Sequence, residues 1–256
     1  MIGSISRFRK SLLRWYRAHR RDLPWRTASG SPPDQRPDPY AVLVSETMLQ
    51  QTRVTTVLPY FRRFMAELPT LHDLAAADEQ QILRLWQGLG YYARARNLHR
   101  AAKLIVERFG GKIPADVATL RTLPGVGRYT AGAVASLAFG RPEPVLDGNV
   151  ARVLCRLDRI TTDPRSHPTS QRLWKRAAAL VPEDAPGDFN SALMELGATI
   201  CTARSPACLV CPVSDYCETR EAGETDRIPP PRATRPTPLV RRKVVCVVPR
   251  GSCQTL

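Results

Sequence analysis

Three sets of residues in this chain have types and spacings that could do chemistry. The first is Glu46, in the run Tyr40-Ala41-Val42-Leu43-Val44-Ser45-Glu46-Thr47-Met48-Leu49. It lies four residues after Val42 and three before Leu49, so at helical spacing it shares the apolar face. A carboxylate there is costly unless paired or protonated, which predicts a raised pKa and a group able to act as a general acid. The second is Asp147, within Val-Leu-Asp-Gly-Asn-Val at 145–150. It stands where a helix begins, and its carboxylate can accept hydrogen bonds from amides near Asn149 and Val150. Those bonds and the helix dipole favour the ionised form. A capping Asp is common, so position alone makes Asp147 only a cap. The third is Cys201, Cys208, Cys211 and Cys217, spaced C-x6-C-x2-C-x5-C. Four-cysteine zinc sites usually offer two CxxC knuckles and this run has one, whereas four thiolates in one short loop suit a [4Fe–4S] cluster.

The elements that must position these residues are helical. Asp38-Pro39 is a strong helix start, with Asp as N-cap and Pro in the first turn, and the helix it opens carries Glu46. A helical face continues through Val54, Val57, Leu58, Phe61, Phe64 and Leu68, past Pro59. Asp78 with Gln81 reads as a capping box for a helix to Trp86, and a further helix ends at Gly110-Gly111. Asp116 caps a short helix that runs into Leu123-Pro124-Gly125-Val126-Gly127, and a second helix follows over about 128–138. Gly125 and Gly127 permit positive φ and put no side chain over the backbone amides. Amides so exposed at a helix N-terminus suit a phosphate oxygen. Further helices are expected at about 149–158, 168–181 and 188–200, and Ile5, Phe8, Leu12, Trp15 and Tyr16 give the N-terminal stretch a helical spacing that ends at Leu23-Pro24-Trp25. The fold class is all-α.

A phosphate-gripping hairpin with an Asp twenty residues after Gly127 resembles the helix-hairpin-helix DNA glycosylases with a GPD-type catalytic Asp. Ser45-Glu46-Thr47-Met48-Leu49-Gln50-Gln51-Thr52, the run Gly88-Leu89-Gly90-Tyr91-Tyr92-Ala93-Arg94-Ala95-Arg96-Asn97-Leu98, Val145 to Val153, and Phe189-Asn190 with Glu195-Leu196-Gly197 are similar to the MutY-type adenine DNA glycosylases. The cysteine spacing is similar to the cluster loop of the same families, and the likeness covers roughly residues 10–220.

The resemblance implies two helical domains with a DNA cleft between them and a bound [4Fe–4S] cluster. Residues 1–37 form an N-terminal helix and loop packed with the cluster domain, and 38–144 form a six-helix barrel domain with the hairpin at 116–138. Residues 145–220 form the cluster domain, and 221–256 form a Pro- and Arg-rich linker and the start of a C-terminal domain, with a strand at 244–248. The implied partner is double-stranded DNA carrying adenine opposite 8-oxoguanine or guanine, bound by a monomer in the cytoplasm or nucleoid (nucleus or mitochondrion in a eukaryote). In the implied catalytic set of Glu46, Asp147, Tyr129 and Asn149, Glu46 protonates adenine and Asp147 supports the sugar. Tyr129 stands where endonuclease III-type enzymes carry a Schiff-base Lys. Tyr cannot form one, so strand-cleaving activity should be weak or absent. Gln50, Gln51, Thr52, Leu89 and Tyr91 are implied near the lesion, Gly125 and Gly127 on the backbone, and Arg204 of the cluster loop on DNA. Arg21, Trp25, Arg26 and Glu195 are implied to line the adenine pocket. The family normally continues into a domain that reads 8-oxoguanine, and this sequence stops at Leu256, so discrimination of the opposite base should weaken.

Composition agrees. The 256 residues carry a formal net charge of +15, which favours a polyanionic partner. No apolar run is long enough to span a bilayer, and four of the seven cysteines fall within 201–217, which argues for a metal or cluster site in a reducing compartment rather than disulfides. Two other readings fit parts of the pattern: a mismatch thymine or uracil glycosylase of the same fold, and a catalytically silent DNA-binding module. The SETMLQQT run favours adenine over the first, and the presence of both carboxylates speaks against the second.

Overall fold

The computed structural model describes residues 2–26 and 35–231, with side chains from residue 5. The described helices are α1 (Ile2–His19), α2 (Pro39–Leu49), α3 (Val54–Glu67), α4 (Leu71–Ala76), α5 (Glu79–Trp86), α6 (Ala93–Phe109), α7 (Val117–Leu120), α8 (Arg128–Phe139), α9 (Gly148–Leu157), α10 (His167–Leu180), α11 (Pro186–Thr199) and α12 (Glu218–Glu221). Short 3₁₀ turns occupy Cys208–Val210 and Ser214–Tyr216, and no strand occurs among the described residues. The strand expected at 244–248 lies outside them.

Two apolar cores organise the chain. In the first, Val42, Leu43 and Met48 of α2 pack with Phe61, Phe64, Trp86, Ile105 and Val134. In the second, Phe8, Leu12 and Tyr16 of α1 pack with Val150, Leu154, Leu173, Phe189 and Leu193. Helix α8 serves both, because its sequence is mostly small. Ala131, Val134, Ala135 and Ala138 face the first core while Ala133 faces the second, so α2 and α11 close on it from opposite sides. A helix buried all round has to be apolar all round, and small residues let its neighbours come near.

The sequence reading needs adjusting in four places. Asp78 does sit at the N-cap of α5 but makes no side-chain capping bond; the reciprocal capping box forms at Thr70 and Asp73, before α4. Gly125 has the left-handed φ expected of it (77°), but Gly127 is extended at −84°, so Gly127 serves by leaving open space rather than by unusual backbone. The N-terminal stretch serves both cores: α1 belongs to the second, while Leu23 and Trp25 enter the first, Trp25 edge-on to Phe61 at 5.1 Å between ring centroids. Finally, the chain beyond 221 stays packed at least to Ile228, which is 3% exposed in the second core and whose carbonyl accepts from Arg156 Nε at 2.8 Å.

Two close approaches deliver Asp147 to its place. A β-carbon on Gly132 of α8 would come within 2.4 Å of the Pro144 carbonyl oxygen, and one on Gly197 of α11 within 2.7 Å of Asn149 Cβ. The segment carrying Asp147 is thus held between α8 and α11 by the absence of two side chains. Gly132→Ala should destabilise the protein by about 1–3 kcal/mol, since backbone must move to admit the methyl and this outweighs the roughly 1 kcal/mol that Ala gains over Gly in a helix. Denaturant unfolding of the variant checks this; an increase in stability would mean that the approach is not tight.

Candidate active site

Glu46 reaches its position from the middle of α2, whose start is fixed by Asp38 accepting bonds from the amides of Tyr40 and Ala41. Its side chain is 4% exposed, and Tyr129 Oη donates to its Oε2 at 2.7 Å. Burial pushes the Glu46 carboxyl up to about 7; the Tyr129 bond and the charge of Arg26 pull it down, and the charge of Asp147 pushes it further up. The raised value expected from the helical face is therefore present, and its main cause is desolvation.

Asp147 caps α9, accepting from the Val150 amide at 2.7 Å and from Asn149 Nδ2 at 3.0 Å. Here the outcome differs from the expectation for a helix start. Burial outweighs these bonds, and the carboxyl sits above the usual Asp range rather than below it. Tyr129 is bonded to Glu46, and its hydroxyl also lies 3.4 Å from Met194 Sδ. Asn149 is held in turn by Arg152, whose Nη2 donates to Asn149 Oδ1 at 2.9 Å and to the Gly197 carbonyl at 2.6 Å, while its Nε donates to the Cys201 carbonyl at 2.8 Å.

Glu46, Asp147 and Asn149 line one open cleft of about 670 Å³, together with Arg21, Trp25, Arg26 and Glu195. Glu195 is 1% exposed and takes two arginines: Arg21 Nε at 2.6 Å and Arg26 Nη2 at 2.9 Å. Burial alone would raise its carboxyl, but the two guanidinium groups overcome burial and leave it below the usual Glu value. Sequence reasoning did not find Met194, Ser191, Val54 or Leu137 on the cleft wall. Their residue types carry no chemical signal, and only the packing of α3, α8 and α11 brings them there.

The remaining predicted site residues form a second group. Leu89 is buried in the first core and does not line the cleft. Gln50 Nε2 donates to Thr130 Oγ1 at 3.4 Å, toward α8. Gln51 is exposed and Tyr91 is 61% exposed, on the loops before α3 and α6. Between them lies Arg94, which the sequence reading did not single out. Gly125 forms one wall of a narrow crevice shared with Gln50 and Arg94, and among the described residues no side-chain capping bond is made at Gly127, the N-cap of α8.

Cys201, Cys208, Cys211 and Cys217 are free thiols in one compact loop, near enough for Cys211 to feel the charge of the other three. The buried Arg156 donates to Cys201 Sγ at 3.3 Å and to the Thr202 carbonyl at 2.7 Å, and Cys217 Sγ lies 3.4 Å from the Arg156 carbonyl. Four soft sulfur donors beside the buried Arg156 and the half-buried Arg152 fit an anionic thiolate-bound cluster. Arg204 is exposed on this loop.

With this geometry in view, likeness to known proteins is specific. The model of the HhH-GPD superfamily base excision DNA repair proteins matches residues 44–179, and that of the iron–sulfur binding domain of endonuclease III matches residues 201–217. The chain belongs to the HhH-GPD superfamily and, within it, to the adenine DNA glycosylases, and its four-cysteine loop falls within the iron–sulfur binding match. It is 50% identical to the human adenine DNA glycosylase over 89% of this chain and 42% of the human protein. It is 46% identical to that of Mycolicibacterium smegmatis over 83% of this chain and 69% of the relative. The chain thus spans less than half the length of the human relative. Among solved structures, a thermostable thymine-DNA glycosylase aligns with a TM-score of 0.74 at 30% identity, over 86% of this chain and 98% of its own. An endonuclease III trapped on DNA aligns at 0.68 and 23%, a likeness of fold.

Two measurements test the site. The folded Glu46 titrates near 7 and an unfolded one near 4.5, so the native state loses about 3 kcal/mol of stability as pH rises between those values. Glu46→Gln should therefore be more stable than the native sequence at about pH 8, and the advantage should shrink toward pH 5; a pH-independent difference in urea unfolding would contradict the raised value. Separately, replacing Cys211 with Ser should bleach the brown colour and lower the iron content of the purified protein. Unchanged iron, or stoichiometric zinc in the native protein, would count against the cluster.

Proposed function

We propose that this protein is a DNA glycosylase that hydrolyses the N-glycosidic bond of adenine mispaired with 8-oxoguanine or guanine. The observation that carries the reading is the convergence of the buried Glu46, whose pKa is raised to about 7, and Asp147 on one cleft. Breaking the bond from adenine needs a proton on the leaving base and negative charge at the sugar. Glu46, with its pKa near 7, supplies the proton to N7 of the extruded adenine, and Tyr129 fixes the carboxyl for that delivery. As electrons leave C1′ with the base, Asp147 faces the positive charge that develops on the sugar. Its bond from Asn149 orients the carboxylate, which can support an oxocarbenium-like state or add to C1′, as in retaining sugar hydrolysis. Glu46, now ionised, accepts a proton from the incoming water. Arg21, Trp25, Arg26 and Glu195 form the wall that receives the base, which has to leave the helical stack to arrive there.

The partner on this reading is duplex DNA, bound as a monomer inside the cell, with the uncapped amides at the start of α8 taking a backbone phosphate. The cysteine loop, with its cluster, keeps Arg204 on the DNA side and anchors Arg152 behind Asn149. Tyr129 gives the enzyme no amine for a Schiff base, so the product is an abasic site left unbroken until alkali is added. The likeness to a thymine-DNA glycosylase supports a second substrate, thymine opposite guanine, as the alternative to exclude.

The test is base release from duplexes carrying A opposite 8-oxoguanine or G, and T or U opposite G, with and without later alkali. Adenine should be released and strands should break only after alkali. Glu46→Gln and Asp147→Asn should each slow single-turnover release by about 10²-fold or more while leaving duplex affinity in place. The native rate should fall above about pH 7, where Glu46 loses its proton. Preferential release of thymine, or near-normal rates in either variant, would refute the assignment.

A further inference from the structure

Gln51 and Tyr91 share an unusual backbone. Each has positive φ, 59° and 51°, although neither is glycine, and each is exposed at the tip of its loop. Left-handed backbone in a residue with a β-carbon costs energy and persists only where the surroundings hold it. The two loops are far apart in sequence, one following α2 and one preceding α6. What joins them is Arg94, the second residue of α6, only 9% exposed.

Its guanidinium collects acceptors from both sides. Nη1 donates to the carbonyls of Thr47 at 3.2 Å and Met48 at 2.8 Å, and to that of Gln50, all at the C-terminal end of α2. Nη2 donates to Thr52 Oγ1 at 3.2 Å and to the carbonyls of Leu89 at 3.5 Å and Gly90 at 3.3 Å. A fixed cation at the end of α2 satisfies carbonyls that the helix cannot pair, and the same plane closes the turn at 88–92. The plane also lies beside two rings, 5.7 Å from that of Trp86 and 5.2 Å from that of Tyr91. Gly90 is further tied by Trp86 Nε1 at 3.0 Å. Only a forked, planar donor can reach this many acceptors at once; a lysine can carry the charge but not the geometry.

We infer that Arg94 is a positioning residue that locks the Gln51 and Tyr91 loops into one preassembled double wedge for opening the DNA duplex at the target base. The inference rests on the proposed action on a base held within duplex DNA. Arg94 touches neither cleft carboxylate, so it acts before chemistry, on the extrusion step. A wedge already rigid in the free protein does not have to be ordered on the DNA, and its strain is carried by hydrogen bonds made on folding.

The test separates opening from excision. In a Glu46→Gln background, 2-aminopurine placed at the target position opposite G should brighten when the protein binds. With Arg94→Lys added, the duplex should still bind but the fluorescence rise should fall at least about tenfold, a size expected for misplacement of about 1 Å. In the Glu46-containing protein, Arg94→Lys should slow adenine release from a G:A duplex by a similar factor. It should leave release nearly unchanged when the adenine faces a one-nucleotide gap and is already unstacked. Equal losses on both duplexes, or an undiminished fluorescence rise, would overturn the inference. A native protein that brightens the reporter but releases no adenine would sink the proposed reaction and leave the wedge standing. Because Arg94→Lys could lower stability, hydrogen exchange of the unsubstituted protein provides a check without any variant: amides of 50–52 and 88–94 should exchange at rates like those of neighbouring helices. Rapid exchange in both loops would rule out a locked wedge.

Discussion

The site depends on keeping a carboxyl group in a place where water cannot stabilise its charge. Glu46 is buried in the first core's central helix, and the cost of ionising it there is what raises its pKa to about 7. Every neighbour adjusts that cost. Tyr129 donates a hydrogen bond that favours the anion, Arg26 does so through space, and Asp147 opposes both. Two carboxyl groups facing the same cleft cannot both ionise cheaply, so whichever is better supplied with donors takes the charge. Asp147 has the Val150 amide and Asn149, whereas Glu46 has one phenol. The difference between the two carboxyl groups therefore comes from a count of donors under a shared burial penalty.

That arrangement sits at the seam of two cores, and the seam explains much of the architecture. Glu46 comes from the first core, Asp147 from the edge of the second, and α8 contributes Tyr129 while packing against both. A small-residue helix is what permits this, since Gly132 admits the 144–145 segment and Gly187 fits against the Ser136 carbonyl. Asn190 then pins the same segment, donating to Ser136 Oγ at 2.8 Å and to the Glu143 carbonyl at 2.7 Å. Behind Asp147, the line Asn149–Arg152–Cys201 ties the cap of α9 to the cysteine loop. The cluster loop is in this sense part of the support of the cleft as well as a surface.

Much of this was legible in the sequence, for local reasons. Asp38-Pro39, Asp116 and Asp147 announce helix starts because N-caps are set by a few neighbouring atoms, and all three accept the expected amide bonds. Glu46 announces itself because a charge on an apolar face breaks a period that is otherwise plain. The misses share the opposite property. Asp78 has the spacing of a capping box, but Thr70 and Asp73 form the one that exists. The pull on Asp147 was misjudged because its capping bonds are local while its burial under α8 and α11 is not. Arg94 stands out in the sequence only as one letter of a matching run, since a basic residue near a helix start gives no hint that six acceptors from the end of α2 and two loops converge on it.

The arginines resolve an apparent conflict between a strongly basic chain and a cleft lined by three carboxyl groups. A net charge of +15 draws a polyanion to the whole surface, yet uniform positive potential around Glu46 would lower its pKa and leave no proton to give. The buried Glu195 is placed to limit this. It sits between Arg21 and Arg26 in the same cleft, and its own carboxyl is held ionised by them. Glu195 thereby cancels one of the two positive charges at the cleft wall, and Asp147 lines the same cleft, where the dielectric is low and each charge counts most. Away from the cleft, surface arginines are screened by solvent, and their charges reach Glu46 only weakly. Basicity outside and near-neutrality within are thus compatible, because the range of each charge is set by how deeply it is buried.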